Sequence, residues 1–122
     1  MTPITDARVL KWTDLPADQP MAKIDRRRVI GSHMMVSQVR LRKGFKVGTH
    51  QHANEQISLV MSGRLRFGIG AEGSKQRREV TLGGGEVVHL PPNVPHSAEA
   101  LEDTEVLDLF SPPSEKTGVD RA

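Results

Sequence analysis

The sequence predicts an all-β fold, a sandwich or barrel of short strands. Two observations carry that expectation. No window of helical length keeps an apolar period near 3.6 residues. Short alternating or continuously apolar runs recur instead, punctuated by 11 Gly and 8 Pro, which is the pattern of strands joined by tight turns.

Taken in order, residues 7–12 alternate weakly and are assigned a short edge strand, followed by a turn-rich connection marked by Pro16 and Pro20. Residues 21–30 mix apolar and basic side chains. They read as a solvent-facing strand, or as two strands with a turn near Asp25. Residues 34–42 form a stronger strand, with Met35, Val39 and Leu41 on one face and Met34, Val36, Gln38 and Arg40 on the other. After a turn at Lys43-Gly44, residues 45–52 are extended. Residues 56–62 form a compact apolar strand ending at Ser62-Gly63, a hairpin signal, and residues 65–69 pair back with it. Further strands are assigned to 76–82 and 86–90, separated by Gly83-Gly84-Gly85, and to 96–100 and 104–110. The run Pro91-Pro92-Asn93-Val94-Pro95 is a rigid connector, and Ser111 begins a peripheral tail. The organisation expected is one domain of 122 residues, with a core at about 34–111, an N-terminal strand extension at 1–30 and a C-terminal tail at 112–122.

Composition removes several function classes. The formal net charge is +2, and the aromatic residues are Trp12, Phe45, Phe67 and Phe110. Base-stacking platforms and a broad basic patch are both missing, so no nucleic-acid partner is expected. With no Cys and no Tyr, disulfides, thiolate metal sites, a cysteine nucleophile and a tyrosine general acid drop out. No stretch has the apolar length of a membrane span, and residues 1–10 lack a signal-peptide core. No membrane partner is expected, and the cytoplasm is the default location.

What remains is a concentration of metal-ligating side chains. His50 and His52 are two residues apart on an extended segment, which directs both imidazoles to one side. Gln56 opens the next strand on the face it shares with Ser58 and Val60, and His96 follows forty residues later. Three imidazoles and an amide oxygen would make a ligand set for one divalent ion, with positions left open for chemistry. Glu55 is the competing oxygen ligand, but it points to the opposite strand face. His33 and His89 lie outside the group and read as surface or packed residues. Ligand type admits Zn, Ni, Fe or Mn. A neutral fourth ligand leaves the ion its full double charge, which favours Lewis-acid work.

Two spaced motifs give a resemblance to the cupin superfamily. The first reads Gly44, five residues, His50-x-His52, three residues, Gln56, six residues, Gly63. The second reads Gly85, five residues, Pro91-x-Asn93, two residues, His96. Gln56 stands where the superfamily has Glu, Asn93 where it has Gly, and Ala100 where it has a final Asn. The resemblance implies a double-stranded β-helix, a jelly roll of two sheets around a cavity, with the ion on His50, His52, Gln56 and His96.

Within the superfamily the chain resembles the KdgF-like proteins, small cupins that convert unsaturated uronate monosaccharides to linear ketonic forms at a divalent metal. That resemblance runs over residues 43–113 and implies a metal-dependent isomerase or lyase acting on a sugar acid. It places Asp108 and Phe110 in the pocket, Asp108 as the proton carrier. The family's usual Arg four residues after that Phe is here Ser114, followed by Glu115-Lys116. Arg40, Arg64 and Arg66 are the candidates to supply the charge that binds the substrate carboxylate, and Arg40 is assigned to the pocket. Two other functions stay open, an Fe-dependent dioxygenase of a small molecule and a non-catalytic cupin that binds a small ligand. A homodimer is expected, both from the resemblance and because the edge strand at 7–12 has no partner of its own.

Overall fold

A computed structural model describes residues 5–113. It is built almost wholly of strands: β1 Ile24–Ile30, β2 Met35–Leu41, β3 Lys46–His50, β4 Glu55–Ser62, β5 Arg64–Ile69, β6 Arg78–Gly83, β7 Val87–Leu90, β8 His96–Ala100 and β9 Thr104–Ser111. They form a five-stranded sheet in the order β1-β2-β9-β4-β7 and a four-stranded sheet in the order β3-β8-β5-β6. Every strand pair is antiparallel. Two such sheets face to face with crossovers between them make the jelly roll that the sequence predicts.

The core lies between the sheets and joins Val39, Leu41, Val60 and Val106 of the larger sheet to Val47, Leu65, Phe67 and Ala100 of the smaller one and its flanks. Cross-strand register then fixes what lies beside the core. Across the larger sheet, Val39 pairs with Val106, which pairs with Val60. The next inward row is polar, Arg28, Ser37, Asp108 and Ser58, and the one after it runs Met35, Phe110, Gln56 and Leu90. Successive rows on one face follow from the period-2 geometry of strands, so a few polar residues on β2, β4 and β9 open a polar strip beside an apolar core.

Turns have specific chemical causes. Gly63, between β4 and β5, has φ +92°, and a Cβ there would collide with the Asp103 carbonyl and Thr104. Only Gly fits that hairpin. Asn93 has φ 64°, the left-handed conformation that Asn tolerates best after Gly. Its N–H donates to the His52 carbonyl at 2.8 Å.

The N-terminal expectation is corrected. Residues 7–12 form no strand, and Trp12 opens a 3-10 turn, Trp12–Asp14. Val9 is 97% exposed, so its alternation with polar residues has no face to bury. Leu10, Trp12 and Leu15 instead border a shallow cleft with Val29 and Val36 on the outer surface of the larger sheet. Residues 24–30 are one strand with no turn at Asp25, and its Ile24 and Arg26 face inward. The tail from residue 114 onward, Ser114 included, lies outside the described residues.

Candidate metal centre

His50, His52 and His96 come together at one end of the cavity, with one nitrogen from each within 4.8 Å of the others. The route differs from simple strand alternation. Val47 lies opposite Ala98 and His50 opposite His96, so β3 carries one extra residue, a bulge, between them. Val47 faces the core, and plain alternation would turn His50 outward. The bulge re-aims it inward beside His96. His52 follows the end of β3, in a turn held by buried Asn54, whose side-chain amide donates to the Pro112 carbonyl.

Each ring is oriented by the backbone. Nδ1 of His50 lies 2.8 Å from the Gly48 carbonyl, Nδ1 of His52 2.9 Å from that of Asn54, and Nδ1 of His96 2.8 Å from that of Val94. A carbonyl only accepts, so each Nδ1 carries a proton and Nε2 is the nitrogen left to face the common centre. Burial pushes the His96 imidazole down to about 4. The Val94 carbonyl opposes that shift, and the charges of His50 and His52 add to it. His96 is therefore neutral, the form that ligates, throughout the physiological range.

Gln56 completes the arrangement from β4. Its Oε1 is 3.1 Å from Nε2 of His52, and its Nε2 donates to Ser58 Oγ at 2.9 Å. Ser58 in turn donates to Asp108 Oδ1 at 2.5 Å. With Nδ1 of His52 already donating to Asn54, its Nε2 and the Gln56 oxygen are two acceptors facing one another. For a ring protonated at Nδ1 alone, a cation bound by both atoms relieves that contact. The donor set therefore fits a divalent ion of the kind that imidazole and amide oxygen bind.

The cavity beside this cluster measures about 60 Å³, room for the reacting end of a small molecule and none for a macromolecule. Its walls include Gln56, Asp108, Phe110 and Arg26. Asp108 is half-buried by accessible surface, yet its surroundings desolvate it enough to push its carboxyl up to about 6. Hydrogen bonds from Ser58 and Gln56 and the charges of His52 and Arg26 hold it below what burial alone would give. Phe110 lies edge-on to His52, with ring centroids 5.9 Å apart.

Of the residues assigned from sequence, His50, His52, Gln56, His96, Asp108 and Phe110 are brought together. Arg40 is not. Its side chain is 58% exposed and pairs at 3.3 Å with Glu105, its register partner on β9. The parity that turns Val39 and Leu41 inward turns Arg40 to solvent. Arg64 and Arg66 are likewise paired outside the cavity, with Glu102 and with Glu79 and Glu99. Glu55 faces outward and meets His89 at 2.6 Å.

The cation on the cavity wall is Arg26, 4% exposed and clamped by Asp18 at 2.7 and 3.1 Å. Asp18 and Arg26 also exchange both backbone hydrogen bonds. The signal in the sequence was the i, i+2 pairing of Arg26 with Ile24, obscured by two more arginines beside it.

The profile of the cupin domain family matches residues 37–110. An uncharacterised protein of Streptomyces coelicolor is 36% identical over 63 residues, which are 51% of this chain. The chain spans about half (54%) of that relative's length. Among solved structures, KdgF from Halomonas sp. superposes with a TM-score of 0.77 at 26% identity, covering 90% of this chain and 97% of that one. An RmlC-like cupin from Shewanella frigidimarina gives 0.79 at 20% identity over 90% of this chain and 95% of its own. Oxalate decarboxylase from Bacillus subtilis gives 0.77 at 21% identity, with 93% of this chain matching 32% of that one. The family profile covers the strands that carry His50, Gln56, His96 and Asp108, and the chain belongs to the cupin domain family.

Proposed function

We propose that the protein is a metal-dependent enzyme that opens or tautomerises a small sugar acid of the unsaturated-uronate class, with His50, His52, His96 and Gln56 as its metal ligands. The observation that carries this reading is the carboxylate of Asp108, on the cavity wall beside the imidazole cluster and hydrogen-bonded toward it through Ser58 and Gln56. A binding protein has little use for a carboxyl that burial raises to about 6, since the cost has no return in affinity for an acid. The likeness to KdgF over nearly the whole of both chains supports the same reading.

A divalent ion on this ligand set supplies Lewis-acid polarisation of a substrate oxygen. Asp108 takes the proton of a substrate hydroxyl and returns it at carbon as the ring opens, so no atom is gained or lost. A carboxyl near 6 is mostly ionised at neutral pH and still basic enough to accept that proton. Phe110 packs against the substrate's apolar edge. Arg26 faces the substrate carboxylate, in the role that the sequence reading gave to Arg40. Arg26→Gln is expected to raise KM about tenfold or more with a smaller change in kcat, because a charged hydrogen bond made in both ground and transition states is lost. Steady-state kinetics on the two proteins check this.

The function itself is tested by incubating purified protein, loaded in turn with Zn(II), Ni(II), Fe(II) or Mn(II), with an unsaturated uronate and following loss of its ultraviolet absorbance. No turnover with any metal overturns the assignment. Oxygen consumption with Fe(II) would replace it by the dioxygenase reading.

We also infer a homodimer, now on grounds other than an N-terminal edge strand. The outer surface of the larger sheet carries exposed Met34, Ile57 and Val87 around half-buried Leu107 and Leu109, an apolar face of the kind that marks an interface. Light scattering at micromolar concentration is expected to give twice the chain mass; a monomer would count against it.

A further inference from the structure

We propose that Ser58 is a positioning residue for the metal centre, setting which end of the Gln56 amide faces the three histidines. The inference rests on the reading that Gln56 faces the ion and goes beyond it in naming what holds it there.

Ser58 is 0% exposed, in mid-strand on β4, two residues beyond Gln56 and directly opposite Asp108 on β9. Its hydroxyl sits between Gln56 Nε2 at 2.9 Å and Asp108 Oδ1 at 2.5 Å. The hydrogen bonds set the direction of the chain. The Ser58 hydroxyl gives its single proton to Asp108 Oδ1. That leaves Ser58 Oγ as an acceptor for one N–H of Gln56, whose amide also hydrogen-bonds to Asp108 itself. Once the NH₂ is committed backward, Oε1 points forward to Nε2 of His52. A flipped amide would set its oxygen against the Ser58 lone pairs and turn its N–H groups on the ion. Both contacts are unfavourable.

The same chain accounts for an amide at position 56, where the cupin motif has a carboxylate. A glutamate there would meet Ser58 with a second acceptor, while the only hydroxyl proton is already given to Asp108. Gln56, Ser58 and Asp108 therefore form one unit, and Ser58 is its hinge.

The test is a two-by-two set of substitutions read by zinc affinity, measured by competition with a chromophoric chelator, with circular dichroism to confirm folding. Ser58→Ala is expected to weaken Zn(II) binding about tenfold, the loss typical when the group orienting a ligand is removed. Without the hydroxyl, the amide either flips or draws back onto Asp108, and its oxygen leaves the cluster. In a Gln56→Glu background the same Ser58→Ala change is expected to cost less than about twofold, because a carboxylate presents an oxygen from either end. Ser58→Thr keeps the hydroxyl and should keep wild-type affinity, which serves as the readout should Ser58→Ala fail to fold. Equal losses from Ser58→Ala in the two backgrounds, or no loss in either, would overturn the proposal, as would a Ser58→Thr protein that folds but binds zinc as weakly as Ser58→Ala. Wild type that takes up no zinc would overturn the donor set itself, an outcome distinct from any of these.

Discussion

Replacing His52 and His96 together by Ala is expected to empty the metal centre, with metal content falling from about one ion per chain to none. In the wild-type protein, X-ray absorption should place the nitrogen ligands about 2.0–2.2 Å from the ion. The effect is large because the two rings contribute separate Nε2 donors, each fixed by its own backbone carbonyl, and no other His, Cys, Asp or Glu among the described residues joins the group. Gln56 and His50 alone are too few ligands to hold an ion against water. Full occupancy in the double variant, measured by atomic emission on protein purified without added metal, would refute the assignment.

The second large effect is expected at Asp108. Asp108→Asn should still fold and load an ion when metal is in excess, and lower turnover by about 10²-fold or more, the usual contribution of a positioned proton carrier. In the metal-loaded wild type, kcat/KM should fall with pH as Asp108 takes up a proton, below the value of about 6 set by burial because the bound cation favours the carboxylate.

Stability provides the control. The Asp108 carboxyl is raised from its usual 3.8 to about 6, so the folded state binds its proton more tightly than the unfolded one. That contribution is fully present below 3.8 and is lost as pH rises through 6. His96, lowered from 6.5 to about 4, acts with the opposite sign. Its contribution is present above 6.5 and is lost as pH falls through 4. At pH 8 the first cost is in full force, so Asp108→Asn, lacking an ionisable group, should be no less stable than wild type by thermal melting. Equal turnover by the two proteins would remove Asp108 from the mechanism.

The parts of the molecule legible from sequence share a physical trait. β2, β4 and β9 are neighbours within the larger sheet, each flanked by a strand on both sides, and bury one face. Their alternation therefore shows directly in residue type, and Gln56 and Ser58 were placed on one shared face by counting in twos, while Asp108 came from the resemblance. Two kinds of feature escaped. Bulges leave no compositional mark, so His50 reached its place by an irregularity that plain alternation does not contain. Charge on an inward face also misleads. Arg26 is buried because Asp18, from a segment without regular secondary structure, clamps it, while Arg40 on a stronger strand stays outside with Glu105. The weak alternation at 7–12 was read as a strand, but a strand needs a hydrogen-bonding neighbour, and residue type alone does not supply one.

His50 and His96 ride on the smaller sheet, whereas Gln56, Ser58 and Asp108 ride on the larger. The two halves of the centre are thus in register only while the sheets stay closed on the core between them. An ion gripping both halves would act as a clasp across the seam of the sandwich. Letting go of it and parting the sheets would then be linked events, so that affinity at the centre reports on the closure of the entire sandwich and any core substitution that loosens Phe67 or Val106 is felt there.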